Sequence, residues 1–310
     1  MRPEQAIQLI NKVTSNDWVT VKMTLEEVIS IVNILLVKRV EEYQYFETER
    51  DHISNLLVQK VLLHGASIMK LADGIDFPMR YLQSPQIKDP FSIHVLFRAL
   101  LESYLTLHHV NFSESEAENE IRFKIWIQYG LRQRGKVTFS EMTTENKKQL
   151  DDEKKEIDNL IGEITSSIFY SSLDRAKKDT FLVQIERDWK FGFRDETYLK
   201  FSWQQLLENT GVNKVLFSDT YNFLSWFAHS NCISLYQLRD MYKQNGEEQE
   251  IKNLMRETSI FIILALTDFM QKDKVLKNQY QKLEQADKDL INIYNYVFRN
   301  NSYTIENIKE

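Results

Sequence analysis

Four polar residues on one predicted helix have the types and spacing that acid–base chemistry needs. His94, Arg98 and Glu102 follow each other at four-residue intervals, and His109 lies seven residues after Glu102. Residues four apart are neighbours on a helix surface, so all four lie near one face. A guanidinium binds phosphates and other oxyanions, and a carboxylate orients a neighbouring base. Arg98 and Glu102 are therefore expected to form either an ion pair that locks this helix or part of a catalytic site.

A second polar stripe lies on an otherwise apolar helix. Tyr221, Ser225 and His229 fall at positions i, i+4 and i+8 among aromatic and aliphatic residues. If His229 faces Arg98 or Glu102 across a helix interface, the imidazole could move a proton while the guanidinium holds a phosphate. The same histidine could equally be a satisfied core residue. The candidate catalytic residues are Arg98, Glu102 and His229, and the candidate binding residues are His94, His109, Tyr221, Ser225 and Asn222.

Composition indicates that helices position these residues. The 310 residues include only 8 Gly and 4 Pro, and 43% are apolar, which favours long helices around a sizeable core. The sequence predicts an all-α bundle of about eight to ten helices. Helices are expected over 24–47 and 113–134, where Thr24 and Ser113 begin capping boxes, and over 49–71, 91–112, 215–242, 247–270 and 285–298.

The chain is expected to form a single helical domain over residues 1–310. Residues 1–48 form N-terminal helices, 49–135 and 215–272 the core bundle, 136–214 an insertion, and 273–310 a C-terminal helix and tail. A loop is expected at 74–90, which contains three of the four prolines. The highly charged stretch 141–158 predicts a solvated helix projecting from the body. The aromatic stretch 170–213 is weakly periodic and predicts short helices with irregular turns.

Several classes of function are disfavoured. The net charge of −6 argues against extended DNA or RNA binding by counterion release, although a local basic pocket is compatible with it. Cys232 is the only cysteine, so neither an intrachain disulfide nor a thiolate zinc cage can form. The most apolar stretches are interrupted by charges before they could span a membrane, and the first residues contain no signal-peptide core. A cytoplasmic location is expected.

No cofactor or metal is expected either. The phosphate-binding motifs GxxxxGK[ST] and GxGxxG are absent, as are the hydrolase motif GxSxG and the zinc motif HExxH. Bundles that hold two iron ions repeat Glu-x-x-His on two helices. Here only the stretch from Glu49 to His52 fits, and one copy is not enough.

Three segments resemble a family of uncharacterised bacterial helical proteins: 64–68 (HGASI), 97–102 (FRALLE) and 221–229 (YNFLSWFAH). In that family an Arg-x-x-x-Glu helix is followed far downstream by a Tyr…Ser…His helix, and the resemblance covers residues 50–270 in order. The family is in turn similar to the HEPN superfamily of helical bundles, which are common in toxin–antitoxin and phage-defence systems. Many of these proteins are metal-independent ribonucleases. The resemblance implies an HEPN-like core.

The chain departs from the usual HEPN ribonuclease signature, in which an arginine precedes a histidine by four to six residues on one helix. No arginine has that spacing here, and Asn222 stands where it would be relative to His229. Catalysis would have to use Arg98 from another helix. The resemblance therefore implies a fold more than an activity.

Two functions are compatible with these residues. The first is a bacterial defence or stress protein that binds or cleaves RNA, with His229 as general base or acid, Arg98 stabilising the phosphorane and Glu102 positioning one of them. The second is a non-catalytic scaffold or small-ligand binder with a structural Arg98, Glu102 and His229 network, which the incomplete signature slightly favours. A catalytic site needs an accessible cleft, whereas a structural network needs burial. A partner protein of the same system and a homodimer are compatible with both.

Overall fold

The structure, a computed structural model, describes residues 2–43, 45–76, 86–137, 143–217, 219–229 and 231–299. It confirms the all-α class: 15 helices and four short strands lie within these ranges. There are more helices than the eight to ten expected, in part because residues 214–243 form three short helices where one long helix is expected. An HEPN-like core stays a prediction.

The elements follow each other in chain order with short connections. They are α1 (Pro3–Val13), α2 (Trp18–Glu42), α3 (Glu49–Ala72), β1 (Ile75–Asp76), β2 (Gln86–Ile87), α4 (Pro90–Asn111), α5 (Glu116–Gly135), α6 (Thr144–Thr165), α7 (Ile168–Ser172), α8 (Arg175–Ile185), β3 (Phe191–Arg194), β4 (Thr197–Lys200), α9 (Trp203–Asn209), α10 (Lys214–Phe217), α11 (Thr220–Ala228), α12 (Cys232–Lys243), α13 (Glu247–Lys272), α14 (Lys274–Gln281) and α15 (Gln285–Phe298). The helices predicted over 247–270 and 285–298 correspond to α13 and α15.

The chain divides into two compact units. The first combines the described parts of Met1–Leu107 and Leu207–Glu310, and the second is His108–Leu206. The dividing point at 107 falls inside α4. The predicted insertion over 136–214 lies mainly in the second unit.

Helix α13 is the centre of the first unit. Sixteen of its 26 residues are buried, and it packs against α2, α3, α14 and α15. Gly65 on α3 permits a close approach, because a Cβ at this position would lie 2.5 Å from the Cδ1 atom of Ile262. A helix buried on nearly every side is what its apolar sequence predicts.

Two buried ion pairs tie the C-terminal helices to the rest of the first unit. Arg299 Nη2 lies 2.7 Å from Asp268 Oδ1, and neither side chain is exposed to solvent. Arg299 Nη2 also donates to the hydroxyl of Tyr104. Arg39 on α2 donates to Asp273 at 2.9 Å. Each pair compensates a charge that would be costly to bury alone.

The second unit is built on α5, α6 and a β-hairpin. Strands β3 and β4 pair antiparallel, with Phe193 opposite Tyr198. The buried carboxylate of Glu118 accepts from Arg122 one turn later on α5 and from the backbone N–H of Phe193. The predicted charged helix is α6, which buries Leu160 and Ile164 while most of its other residues are exposed.

Both predicted capping boxes are misplaced. Helix α2 begins earlier, with Asp17 accepting from the backbone N–H of Thr20, and the Thr24 hydroxyl instead donates to the Thr20 carbonyl within the helix. Helix α5 is capped by Ser115, whose hydroxyl accepts from the backbone N–H of Glu118. In each case another residue of a type that favours the N-cap position, Asp17 or Ser115, caps the helix instead of the predicted one.

The prediction of one helix over 215–242 is wrong. Three helices, α10, α11 and α12, occupy this stretch. Asp219 takes a left-handed conformation with φ of 60° at the start of α11, and Asn231 caps α12 by accepting from the backbone N–H of Ile233. Both residue types tolerate such turns.

Two stretches expected to be irregular contain short strands. The stretch 170–213 includes the β3–β4 hairpin, and the predicted loop at 74–90 contains the β1–β2 ladder that pairs Ile75 with Ile87. Pro78 and Pro85 lie outside the described residues. Within the described ranges, none of the helices combines the length and apolar character that a membrane crossing requires.

Candidate functional site

Helix α4 positions Arg98 and Glu102. The helix begins with Pro90, and the Asp89 carboxylate accepts from the backbone N–H of Ser92, an arrangement suited to a helix N-terminus. Much of the helix surface is buried, with Ile93, Phe97, Leu100, Leu101, Tyr104 and Leu105 fully enclosed. Arg98 and Glu102 occupy the half-buried stripe that remains, with side chains 16% and 33% exposed.

Helix α11 positions Tyr221 and His229. Tyr221 lies in its first turn with 7% of its surface exposed. His229 is the residue at which the helix ends, and its side chain is exposed. Two residues eight positions apart on a helix are about 12 Å apart along its axis. A long side chain from another helix is needed to contact both.

Arg98 supplies that side chain. Its Nη2 donates to the Tyr221 hydroxyl at 2.9 Å, and its Nη1 lies 3.1 Å from His229 Nε2. Its Nε donates to Glu102 Oε1 at 2.9 Å. The Tyr221 hydroxyl in turn donates to the same Glu102 oxygen at 2.8 Å. The structure thus brings together the three residues predicted as catalytic and adds Tyr221 as a fourth member, and we call these four residues the Arg98 cluster.

The hydrogen bonds of the Arg98 cluster favour a fixed charge on the guanidinium. Partial burial opposes the charge on Arg98, but the hydrogen bonds to Glu102 and Tyr221 outweigh it and raise the pKa of Arg98 above its ordinary value. Burial, followed by the contact with the Glu102 carboxylate, raises the pKa of Tyr221 to about 12. The phenol therefore stays protonated at neutral pH and can donate to Glu102.

The contact between Arg98 and His229 defines which imidazole nitrogen is protonated. A guanidinium has only donors, so a hydrogen bond at this 3.1 Å contact requires the tautomer in which His229 Nε2 accepts and Nδ1 carries the proton. An unprotonated Nε2 beside a cation has the form required of a general base. The arrangement can bind an anion at Arg98 and transfer a proton at His229.

Two of the predicted binding residues on α11 do not join the cluster. The Ser225 hydroxyl donates to the Tyr221 carbonyl within the helix at 3.0 Å. Asn222 is exposed. A serine hydroxyl on a helix often donates a hydrogen bond to the backbone carbonyl four residues earlier. Ser225 lies four residues after Tyr221 and makes this hydrogen bond.

His94 lies one turn before Arg98 but has different neighbours. Its ring is fully buried and stacks on Phe227 with centroids 3.9 Å apart. Its Nε2 lies 2.9 Å from Glu250 Oε1 on α13. No sequence motif marks Glu250 as a partner of His94.

His109 is a core residue of the second unit. It is buried with Trp189 and Phe201 edge-on to its ring at 5.5 and 5.8 Å. Burial, and then the neighbouring charge of Arg122, lower the pKa of His109 well below its ordinary value. His109 belongs to the second unit, whereas Arg98 belongs to the first, and the role of His109 as a binding residue stays a prediction.

Among the residues that the structure describes, no group of three or more His, Cys, Asp or Glu side chains is arranged to hold a metal ion. No family model, curated protein or solved structure matches the chain.

Proposed function

We propose that the Arg98 cluster is an RNA-binding and RNA-cleaving site that works without a metal ion. The observation that carries the proposal is the contact between Arg98 and His229, which pairs an anion-binding group with an exposed proton acceptor. The half-buried positions of Arg98 and Glu102 support access by a ligand. A fully enclosed network would instead have supported a purely structural role.

The proposed reaction uses the 2′-hydroxyl of RNA as its nucleophile. A phosphate oxygen accepts from Arg98 Nη1, and His229 Nε2 is released to take the proton of the 2′-hydroxyl. The 2′-oxygen bonds to phosphorus while the bond from phosphorus to the 5′-oxygen breaks, and the 5′-oxygen receives a proton through water. The products carry a 2′,3′-cyclic phosphate and a 5′-hydroxyl. Arg98 stabilises the charge that develops on the phosphorane.

Glu102 and Tyr221 position Arg98 in this proposal. Glu102 Oε1 accepts from both Arg98 and Tyr221, and the Tyr221 hydroxyl accepts from Arg98. A guanidinium held at two of its nitrogens loses little further freedom when it binds a phosphate. Neither residue needs to contact the reacting atoms.

The resemblance to HEPN proteins supports a role in a bacterial defence or stress system. The net charge of −6 disfavours tight binding of long nucleic acids. We therefore propose that a partner protein of the same system, or a second copy of the chain, completes the RNA-binding surface.

The test is cleavage of a short single-stranded RNA at stoichiometric protein in the presence of EDTA. Wild type should produce fragments ending in 2′,3′-cyclic phosphate, and His229→Ala and Arg98→Ala should lower the rate by at least about 100-fold. An all-deoxy oligonucleotide of the same sequence should remain intact.

Matched controls replace the same residue types elsewhere. His52 and Arg239 are both exposed, and His52→Ala and Arg239→Ala should cleave at the wild-type rate. The proposal fails if wild type cuts no RNA, or if His229→Ala cuts as well as wild type in preparations that share one chromatographic profile.

The second candidate function is a structural network or ligand-binding scaffold. It is favoured by the closed set of hydrogen bonds among Arg98, Glu102 and Tyr221 and by the burial of Tyr221. If this is the function, Arg98→Ala should lower the thermal unfolding temperature markedly and no preparation should cleave RNA.

A further inference from the structure

A separate pocket in the first unit lies among α4, α11 and α13. Its volume is about 380 Å³, and its apolar wall is formed by Phe223, Leu224 and Leu254. This volume is within the range of small-molecule sites. None of the four residues of the Arg98 cluster lines it.

The polar lining of this pocket is acidic. Asp219, Glu250 and Glu257 line it, and none of the described lining residues is a lysine or an arginine. The nearby Arg256 is occupied, since its guanidinium donates to the Ser15 carbonyl and to the Asn253 side chain. An apolar pocket with several carboxylates and no lining cation favours a positively charged ligand.

His94 provides an independent observation at the same pocket. Its side chain is fully buried and lines the cavity. Nε2 lies 2.9 Å from Glu250 Oε1 but forms no well-aligned hydrogen bond with it, so neither Nε2 nor Nδ1 has a hydrogen-bond partner among the described residues. Buried polar atoms are normally satisfied, and one that is not points to a missing ligand or water.

The raised pKa of Glu257 is consistent with a cation-binding pocket that holds no cation. Burial, and then repulsion from Glu250, raise the pKa of Glu257 to about 7, although Arg256 acts in the opposite direction. A cation bound between the two carboxylates would offset both effects.

We propose that this pocket binds a short aliphatic diamine. Glu250 and Glu257 are two helical turns apart on α13, so their backbone positions are about 10 Å apart along the axis. Two ammonium groups joined by a short alkyl chain can contact both carboxylates, with the chain against Leu224 and Leu254. Phe223 also lines the pocket, and its aromatic ring can attract one of the ammonium groups.

A diamine fits the pocket better than a metal ion does. Metal binding requires several ligands that converge within about 2.0–2.6 Å of one point. No such group occurs among the described residues. The separation of the two glutamates and the apolar residues of the lining instead suit an extended organic cation.

The experiment is isothermal titration of the full chain with 1,5-diaminopentane at pH 8, where Glu257 is ionised. Saturable binding is expected for the diamine and none for 1,5-pentanediol, which has the same length without charge. Glu250→Gln combined with Glu257→Gln should weaken binding by about tenfold or more, because charged hydrogen bonds are lost. Glu248→Gln, an exposed change on the same helix, should leave the affinity within about twofold of wild type.

The RNA-cleavage rate provides a separate readout, since none of these glutamates belongs to the Arg98 cluster. The proposal is overturned if the diamine shows no saturable binding, if the diol binds equally well, or if the double variant keeps the wild-type affinity. It is also overturned if Mg²⁺ saturates the site and the diamine does not. Should the double variant lack wild-type circular dichroism, Phe223→Leu replaces it and should weaken binding by about threefold or more.

Discussion

Arg98 Nη1 lies 3.1 Å from His229 Nε2, across 131 positions of sequence. The contact joins the middle of α4 to the end of α11, and both side chains are at least partly accessible to solvent. A substitution at either end should therefore affect the chemistry of the site more than the stability of the fold.

Arg98→Ala tests that expectation directly. The side chain is 16% exposed and its partner Glu102 is 33% exposed, so water can replace part of what is lost. We expect the free energy of unfolding to fall by about 1–2 kcal/mol, measured by urea denaturation. A fall of about 3–5 kcal/mol would indicate a fully buried pair and a structural role.

The variant Tyr221→Phe tests whether Tyr221 positions Arg98 or transfers a proton itself. The change removes one acceptor for Arg98 and one donor to Glu102, and we expect RNA cleavage to slow by about tenfold. Because the pKa of Tyr221 is raised to about 12, the phenol does not ionise near neutral pH. Below pH 9, the cleavage rate of the variant should depend on pH in the same way as that of wild type. If the variant loses the rise or the fall of the rate with pH that wild type shows, Tyr221 is not merely a positioning residue.

Glu257→Gln should change how stability depends on pH. The folded protein raises the pKa of Glu257 from 4.5 to about 7, so folding favours the protonated form. The stabilisation from this proton is complete below pH 4.5 and is lost as pH rises through about 7, by up to about 3 kcal/mol. The variant should gain stability relative to wild type from pH 5 to pH 8 in urea titrations. A difference that is independent of pH would show that Glu257 ionises normally.

The Asp268–Arg299 pair should be strongly coupled. Both side chains are fully buried and 2.7 Å apart, and removing either one takes away the ion-pair partner of the other. Asp268→Ala and Arg299→Met should each cost about 3–5 kcal/mol, whereas the double variant should cost much less than their sum. Additive costs from denaturant unfolding would contradict this coupling.

Gly65→Val should destabilise the contact between α3 and α13. A Cβ at this position would lie 2.5 Å from Ile262 Cδ1 and 3.3 Å from Thr258 Cγ2, and overpacking costs about 1–3 kcal/mol. Gly130→Ala is a helical control with nothing within 4 Å of the added atom, and it should stabilise by about 0.5–1 kcal/mol. Thermal unfolding of the two variants should shift in opposite directions.

Helical spacing was enough to identify most of the Arg98 cluster. Arg98 and Glu102 lie on one uninterrupted helix, where a four-residue interval predicts contact. The sequence could not predict that His229 lies near Arg98 and Glu102, because the spacing of residues within one helix does not show how α4 packs against α11. Tyr221 was predicted as a binding residue, and its role as the bridge between Arg98 and Glu102 needed the three-dimensional arrangement.

The errors have local causes. Apolar periodicity continues through 215–242, and it hides the left-handed conformation of Asp219 and the cap at Asn231. The acidic pocket had no sequence signal, because Asp219, Glu250 and His94 come from three separate helical segments.

The Asp268–Arg299 pair also has a consequence for how the chain folds during synthesis. Asp268 is enclosed beside Tyr104, and its ion-pair partner Arg299 is translated only after α15. The second unit is one continuous segment, His108–Leu206, and can fold while translation continues. The first unit combines segments from both ends of the chain, so part of its core is missing until its last helices have been translated.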